Sequence, residues 1–247
     1  MELLTGINAV EAALSQERRT VERVWVERGR DRARLTRIRE LARRHGVPVE
    51  EVDRERLARL VGRDAGPARH QGVVASVSAV SYADPEDVLE GCGESAIVVV
   101  ADGVEDPRNL GALVRTAAGA GVSAVFIPER RTSGLSATAA RAAAGAVERV
   151  PVSRVGNVAS FIKVLKEKGF WVIGLDADGD RTWDSVRYTG KTAFVIGGEG
   201  RGIRRLVREY CDVIVAIPLA PGTESLNLSV AAGICLFEVV RQRRAGG

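Results

Sequence analysis

A short polar segment near the end of the chain is the first candidate for chemistry. The sequence Ser-Leu-Asn-Leu-Ser at 225–229 joins a short apolar segment to a long one, so small polar side chains alternate with leucines. Polar groups among neighbours that favour burial need hydrogen-bond partners, because an unpaired buried polar group is costly. The pattern indicates a ligand site or a helix cap, and Ser and Asn are favoured at helix starts.

A second candidate segment follows the apolar residues at 96–101. Asn109 lies where a helix cap is expected, and Arg115 follows six residues later in the same predicted helix. Glycine and alanine residues along this helix leave a smooth surface that permits close packing. From this segment alone, a capped helix with one exposed arginine stays open as the simpler alternative.

The third candidate is the glycine-rich segment at 197–202, Gly-Gly-Glu-Gly-Arg-Gly. It lacks the Lys-Ser or Lys-Thr pair of a nucleotide triphosphate site, and Glu199 places an anion where a phosphate would lie. The turn at 102–106 holds too few glycines for a dinucleotide fingerprint. The glycines predict a backbone that closely approaches a flat or neutral ligand, with a plain tight turn as the alternative.

The elements around these segments alternate between strand and helix. From residue 96 onward, apolar runs predict strands near 96–101, 124–127, 150, 170–175, 193–196 and 213–217, with helices near 110–121, 137–146, 158–168, 203–210 and 226–241. Such alternation predicts a parallel sheet covered on both faces. Ligands bind such sheets beyond the carboxyl ends of the strands, where the three candidate segments lie.

The residues before 96 predict a separate, smaller α/β unit. Strands are predicted at 21–26, 47–52 and 71–77, with helices at 8–14, where Asn8 and Glu11 resemble a capping box, at 32–45 and around 57. The predicted domains are therefore 1–78, a linker at 79–95, and 96–247.

Charge is uneven along the chain. Residues 1–80 hold 16 arginines, no lysine and 12 acidic residues, whereas residues 81–247 hold 20 basic and 20 acidic residues, so the net charge of +4 lies in the first third. Arginine suits phosphates and base stacking, which indicates nucleic acid, although solvated helix faces explain part of the excess.

The cysteines, the histidines and the lengths of the apolar runs exclude several classes of protein. Three scattered cysteines and two histidines predict neither disulfides nor zinc nor a histidine-based triad, and the thiols are predicted to be buried. The apolar runs are too short to cross a membrane, and the N-terminus lacks a basic signal-peptide head. A cytoplasmic, metal-free protein is expected.

Together the three segments resemble the motifs of the SpoU (TrmH) family of RNA ribose 2'-O-methyltransferases. Asn109, the Gly-x-Glu-Gly-x-Gly pattern at 197–202 and the Ser-Leu-Asn-Leu-Ser pattern at 225–229 occur in the family's order. The resemblance covers residues 96–247. The N-terminal unit, with its His-Gln-Gly sequence at 70–72, is similar to the family's small RNA-binding domain of the ribosomal protein L30 type. The two-part chain most resembles the subgroup that methylates a guanosine ribose of 23S rRNA.

The resemblance implies an α/β fold whose C-terminal domain is a trefoil-knotted (SPOUT) methyltransferase domain with a mainly parallel sheet. Knots are rare, so strand and helix periodicity does not predict one. The family resemblance also implies S-adenosylmethionine as methyl donor, an RNA partner, and a homodimer with active sites near the subunit interface. By position, it assigns the catalytic candidates Asn109, Arg115, Glu199, Ser225 and Asn227. The implied donor-binding residues are Gly197, Ile217 and Leu226.

Methyl transfer to a hydroxyl is an in-line displacement, so positioning can supply much of the catalysis without a covalent nucleophile. The family proposal gives the hydroxyl proton to the arginine at the position of Arg115. A guanidinium is ordinarily protonated and has no free lone pair, so we expect Arg115 instead to clamp a phosphate and stabilise the developing alkoxide. A tRNA ribose methyltransferase and a non-enzymatic rRNA-binding assembly factor remain the alternatives.

Overall fold

The computed structural model describes residues 2–16, 18–29, 33–62, 70–198 and 202–245. The chain forms two compact units, one of Met1–Ser81 with Leu135–Arg149 and the other of Tyr82–Gly134 with Val150–Gly247. The segment 135–149 thus packs with the N-terminal unit, whereas its sequence position had placed it in the C-terminal domain. No helix in the described ranges has the length and apolar character needed to cross a membrane.

The first unit is built on a four-stranded sheet in the order β1-β4-β2-β3. Its strands are β1 (Glu2–Thr5), β2 (Val21–Glu27), β3 (Val49–Val52) and β4 (Val73–Val77). Strand β4 is antiparallel to both β1 and β2, and β2 is parallel to β3. The helices that connect the strands are α1 (Ile7–Gln16), α2 (Ala33–Arg44) and α3 (Arg54–Val61).

Helices α1 and α2 each bury one apolar stripe in the core of this unit. Val10 and Leu14 from α1 pack in one cluster with Leu35 and Ile38 from α2 and with the strand valines. Each fully buried leucine or isoleucine contributes about 1.5–3 kcal/mol relative to an exposed one. The spacing of three to four residues leaves the arginines of α2 on the outer face, as expected for an amphipathic helix.

The start of α1 corrects one sequence prediction. Asn8 does not cap the helix, because it lies inside α1, and its Oδ1 accepts a hydrogen bond from Arg34 Nη2. The first backbone N–H of the helix, that of Ile7, instead donates to Gln71 Oε1 at 3.1 Å. Gln71 holds a φ of 52°, in the left-handed region, which gives the His-Gln-Gly sequence a local structural role.

The second unit contains a seven-stranded parallel sheet in the order β7-β6-β5-β10-β8-β11-β9. Its strands are β5 (Ile97–Asp102), β6 (Ala124–Pro128), β7 (Val152–Val155), β8 (Trp171–Leu175), β9 (Arg181–Thr182), β10 (Thr192–Gly197) and β11 (Val213–Ala216). All of β5 and β6 is buried, as expected for a parallel sheet covered on both faces.

Helices cover this sheet: α4 (Pro85–Glu90), α5 (Pro107–Gly119), α7 (Val158–Glu167), α8 (Arg205–Tyr210) and α9 (Leu228–Ala245). Strand order reverses at β5, with β6 and β7 on one side and β10 and β8 on the other. In open parallel sheets such a reversal opens a crevice at the carboxyl ends of the strands. Gly197 at the end of β10 pairs in register with Asp102 at the end of β5, so the loops of two candidate segments leave the sheet together.

The segment between β6 and β7 holds α6 (Ala137–Ala143) and a 3-10 helix (Ala146–Glu148) that belong to the first unit. Glu148 is fully buried there against Arg19, whose side chain is 1% exposed. Arg19 Nε donates to Glu148 Oε1 at 2.8 Å, and Arg19 Nη1 donates to the carbonyl of Ser78 at 3.3 Å. A buried ion pair joins the segment to the N-terminal residues.

Candidate active site

Asn109 is not the N-cap of α5, the position that the sequence suggested for it. Asp106 caps α5, with its Oδ1 accepting from the backbone N–H of Arg108 at 2.7 Å, and Pro107 occupies the first helical position. This is a favoured helix start, because proline has no N–H to leave unpaired and its φ suits a helix. The Asn109 amide therefore extends from the first turn toward another element.

Asn227 supplies the other half of that contact. Its Nδ2 donates to Asn109 Oδ1 at 3.0 Å, across 118 positions of sequence. Its Oδ1 accepts from the backbone N–H of Ser229 at 3.0 Å and from Ser229 Oγ at 2.6 Å. Asn227 thus caps α9, as one interpretation of the polar segment predicted, and it also joins the first candidate segment to the third.

Two glycines of the second segment, Gly197 and Gly198, are required by close backbone packing. A Cβ on Gly197 would lie 2.0 Å from the carbonyl carbon of Gly202, and one on Gly198 would lie 2.3 Å from the carbonyl oxygen of Gly103. Gly198 also donates its N–H to the carbonyl of Asp102 at 3.0 Å. Any side chain at these positions would displace backbone. Glu199 of the same segment lies outside the described residues.

A cleft of about 390 Å³ lies at the carboxyl edge of the sheet. The three predicted donor-binding residues Gly197, Ile217 and Leu226 all line it, as does Ser225. Gly198, Gly202 and Leu228 of the same two motifs also line it, and further lining comes from residues outside the motifs: Leu175, Asp176, Ala177, Ile196, Leu219, Glu224 and Ala231. The structure therefore brings the second and third segments together around one cavity of mixed apolar and acidic character.

Asp176 is the main cleft residue that sequence reasoning missed. It follows β8 directly; its Oδ2 accepts from the backbone N–H of Ile203 at 3.1 Å and its Oδ1 lies 3.4 Å from Arg208 Nη1. Its side chain is only 14% exposed. The available signal was an acidic residue immediately after an apolar run of strand residues, the same signal that Asp102 gives after the apolar run 96–101.

Asp102, at the start of the loop that leads to Asn109, contacts Arg204, which follows the glycine-rich segment 197–202. Its carboxylate is fully buried, and both of its oxygens accept from Arg204 Nε, at 2.9 and 3.1 Å. Arg204 Nη2 makes a further hydrogen bond to Asp102 Oδ1. The hydrogen bond to this carboxylate raises the pKa of Arg204 above its usual value, so the guanidinium stays charged.

Arg115 stands apart from the asparagine pair. Asn109 and Thr116 are seven residues apart on α5 and share the face toward α9, where Thr116 lies near Gly233. Arg115 is rotated about 100° from Thr116 around the helix axis and is exposed. Within the described part of one chain, no hydrogen bond or ion pair joins Arg115 to the asparagine pair.

The thiols offer no nucleophile near neutral pH. Cys235 is buried, and Cys92 and Cys211 are half-buried, so the expectation of burial holds fully for one of the three. Burial raises the pKa of Cys211 and of Cys235 to about 12. Both therefore remain protonated at neutral pH, and the thiolate is the reactive form.

Comparison with known proteins decides the family. The model of the SpoU rRNA Methylase family matches residues 96–237, and a model described as RNA 2'-O ribose methyltransferase substrate binding matches residues 3–83. The chain belongs to the SpoU rRNA methylase family. The family resemblance read from the three motifs is thereby confirmed.

Close SpoU relatives align over almost the whole chain. The 23S rRNA (guanosine-2'-O-)-methyltransferase RlmB of Xylella fastidiosa is 42% identical over 243 residues, 97% of this chain and 96% of its own. The enzyme of the same name from Escherichia coli is 39% identical over 244 residues, 98% of this chain and 99% of its own.

Solved SpoU structures share the fold. The methyltransferase AviRb from Streptomyces viridochromogenes, in complex with the cofactor AdoMet, has a TM-score of 0.78 at 25% identity and covers 99% of this chain and 91% of its own. An AdoMet-bound rRNA methyltransferase from Sinorhizobium meliloti has a TM-score of 0.77 at 25% identity, over 97% of this chain and 86% of its own. The SpoU fold, with its N-terminal substrate-binding domain and mainly parallel sheet, is confirmed.

Proposed function

We propose that this protein transfers the methyl group of S-adenosylmethionine to the ribose 2'-hydroxyl of a guanosine in 23S rRNA. The observation that carries the proposal is the Asn109–Asn227 contact, which joins the first and third family motifs beside a cleft lined by the second and third. Relatives that align over nearly their full length bear the name of this activity.

The cleft of about 390 Å³ fits the chemistry of the donor. Leucine and isoleucine side chains suit a flat, neutral adenine, and the carboxylates of Asp176 and Glu224 suit the positive sulfonium and ammonium groups. When bound, S-adenosylmethionine supplies an activated methyl carbon. The residues that would hold it are Gly197, Ile217 and Leu226 with these two carboxylates.

The chain's own residues would then orient the ribose and stabilise the negative charge that develops on its O2' atom. Formation of a bond from O2' to the methyl carbon would be balanced by cleavage of the carbon–sulfur bond, whose electron pair would leave with the sulfur as a neutral thioether, and the hydroxyl proton would pass to water. We assign Asn109, Asn227 and Ser225 to orientation, with Glu199 proposed for the same role from its motif position. Arg115 is proposed to bind a neighbouring phosphate and stabilise the developing alkoxide.

Mapping of the methylated nucleoside tests the function. Purified protein with labelled S-adenosylmethionine is expected to label undermodified 23S rRNA, and digestion should yield 2'-O-methylguanosine. Undermodified tRNA and a reaction without protein serve as controls. Label in tRNA alone would replace the rRNA assignment by the tRNA alternative. Binding of rRNA without transfer to either RNA would favour the assembly-factor alternative.

We also infer a homodimer whose interface includes α9. Val230 and Phe237 on this helix are 51% and 48% exposed, although both are large apolar side chains. The Phe237 ring lies beside Gly119 of α5, so the exposed surface continues onto the helix that carries Arg115. Exposed apolar surface of this kind marks contact with another protein.

Sedimentation velocity tests this assembly. The wild-type protein is expected to sediment as a dimer, and Phe237→Glu as a monomer, because a charge would be buried in the interface. Val164→Glu, which changes a 38% exposed apolar residue of α7, is the matched control and should remain dimeric. A monomeric wild type would contradict the homodimer.

We also infer a trefoil knot in the C-terminal region, because the SpoU fold supports it. Tracing the path of the backbone through this region checks the knot. An rRNA substrate supports a cytoplasmic location, and cell fractionation that found the protein elsewhere would contradict it.

A further inference from the structure

A second, smaller cleft adjoins the donor cleft. Its volume is about 130 Å³, a third of the larger one, and Gly198 lines both. The walls come from the ends of three neighbouring strands: Asp102 ends β5 and Gly103 follows it, Pro128 ends β6, and Gly198 follows β10. It is too small for the donor nucleoside that the larger cleft suits.

Charge in the second cleft favours an anion. Among the lining residues that the structure describes, Arg204 is neutralised by the buried Asp102, which leaves Arg130, Arg131 and Glu105 as the other charged ones. Both arginines are exposed, and neither makes an ion pair with any residue that the structure describes. Two guanidinium groups face one carboxylate, and a guanidinium fork matches the geometry of a phosphate.

The loop that carries the arginines is held against the first motif loop. Thr132 Oγ1 and the backbone N–H of Ser133 both donate to the carbonyl of Val104, at 2.9 and 2.6 Å. Arg131 itself has a φ of 58°, a left-handed conformation that is uncommon for arginine. Such strained residues concentrate at functional sites, where the surrounding structure holds them. The backbone that carries the two arginines is therefore held next to the loop that leads to Asn109.

We propose that Arg130 and Arg131 bind a phosphodiester group of the RNA substrate in this second cleft. The inference rests on the proposed RNA methyltransferase function and adds a specific contact to it. The phosphate would be close in sequence to the target nucleotide, because the second cleft and the donor cleft share Gly198. The two residues contact the RNA and do not contact the donor, so substituting them should leave donor binding unchanged.

The double substitution Arg130→Gln with Arg131→Gln tests the contact. It should raise the Kd for a 23S rRNA fragment about tenfold, and the slope of log Kd against log salt should fall by about 0.7–0.9 for each phosphate that the protein no longer neutralises. The Kd for S-adenosylmethionine should not change, and kcat at saturating RNA should stay within about threefold. RNA binding is measured by filter retention between 50 and 200 mM salt.

Arg187→Gln is the matched control, since Arg187 is exposed in the same unit and lines neither cleft. It should leave Kd and salt slope at the wild-type values. Unchanged RNA Kd and salt slope in the double variant would overturn the proposed contact. Failure of the proposed function is distinguishable, because it shows as absent methyl transfer by the wild-type protein, whatever the variant does.

Discussion

Replacing Glu148 with alanine is expected to lower the free energy of unfolding by about 3–5 kcal/mol. Glu148 is fully buried, and its partner Arg19 is 1% exposed. Without the carboxylate, the partners that the described residues leave to the buried guanidinium are the carbonyl of Ser78 and the partly exposed Glu2, whose Oε2 lies 3.5 Å from Arg19 Nη1. Urea denaturation followed by circular dichroism measures the loss.

An apolar replacement of both partners separates the cost of a lone charge from the value of the pair. Arg19→Met with Glu148→Leu is expected to recover most of the loss, because a buried ion pair is often no more stabilising than apolar residues of similar volume. Glu148 Oε2 has no hydrogen-bond partner in the described part of the chain, so the native pair is incompletely satisfied.

The matched control is Glu209→Ala, which removes a carboxylate from an exposed ion pair. Arg205 Nε lies 3.0 Å from Glu209 Oε1 on α8, and the two side chains are 93% and 53% exposed. Exposed pairs contribute about 0–1 kcal/mol, so this variant should unfold near the wild-type urea concentration. A loss below about 1 kcal/mol for Glu148→Ala would show that Arg19 does not depend on this carboxylate.

Replacing Arg115 with alanine is expected to lower kcat by about 10²–10³-fold, the usual cost of removing one group that stabilises a developing oxyanion. The Kd for S-adenosylmethionine should not change, because Arg115 does not line the donor cleft. Arg115→Lys keeps the positive charge and should recover part of the rate. Single-turnover methylation of rRNA and calorimetric titration of the donor measure the two effects.

The pH dependence of Arg115→Lys distinguishes the two roles considered for this residue. A charge clamp loses activity as the lysine deprotonates, near its ordinary pKa of about 10.4, whereas a base gains activity when it is deprotonated. Arg187→Ala serves as the control for loss of an exposed arginine from the same unit. A lysine variant with the wild-type rate and pH profile would remove Arg115 from both roles.

Much of the second unit was predictable because its strands are buried on both faces. Runs such as 96–101 are apolar throughout and are separated by helical periodicity, which identifies a parallel α/β sheet. The edge strand β1 escaped prediction, since its four residues alternate only weakly in burial. The short α4 also lies in a segment taken as a linker, because its Asp84 cap and Pro85 resemble turn residues.

At the site, the motifs were visible but their contacts were not. Asn109 and Asn227 are chemically ordinary residues until the fold places their amides 3.0 Å apart, and that distance depends on long-range topology. Asp176 was missed because a single acid after a strand is common in loops. Gly197 lines the cleft as predicted, but the motif alone did not show that the backbone of Gly202 also excludes a side chain at this position.

Because Leu135–Arg149 completes the first unit, that unit is discontinuous in the order of synthesis. Arg19 leaves the ribosome long before Glu148 does. At about 5–20 residues per second, the interval between residues 81 and 149 is roughly 3–14 seconds. During that time the nascent N-terminal residues lack the segment that covers Arg19, so the unit can reach its native packing only once the first strands of the methyltransferase sheet have also been made.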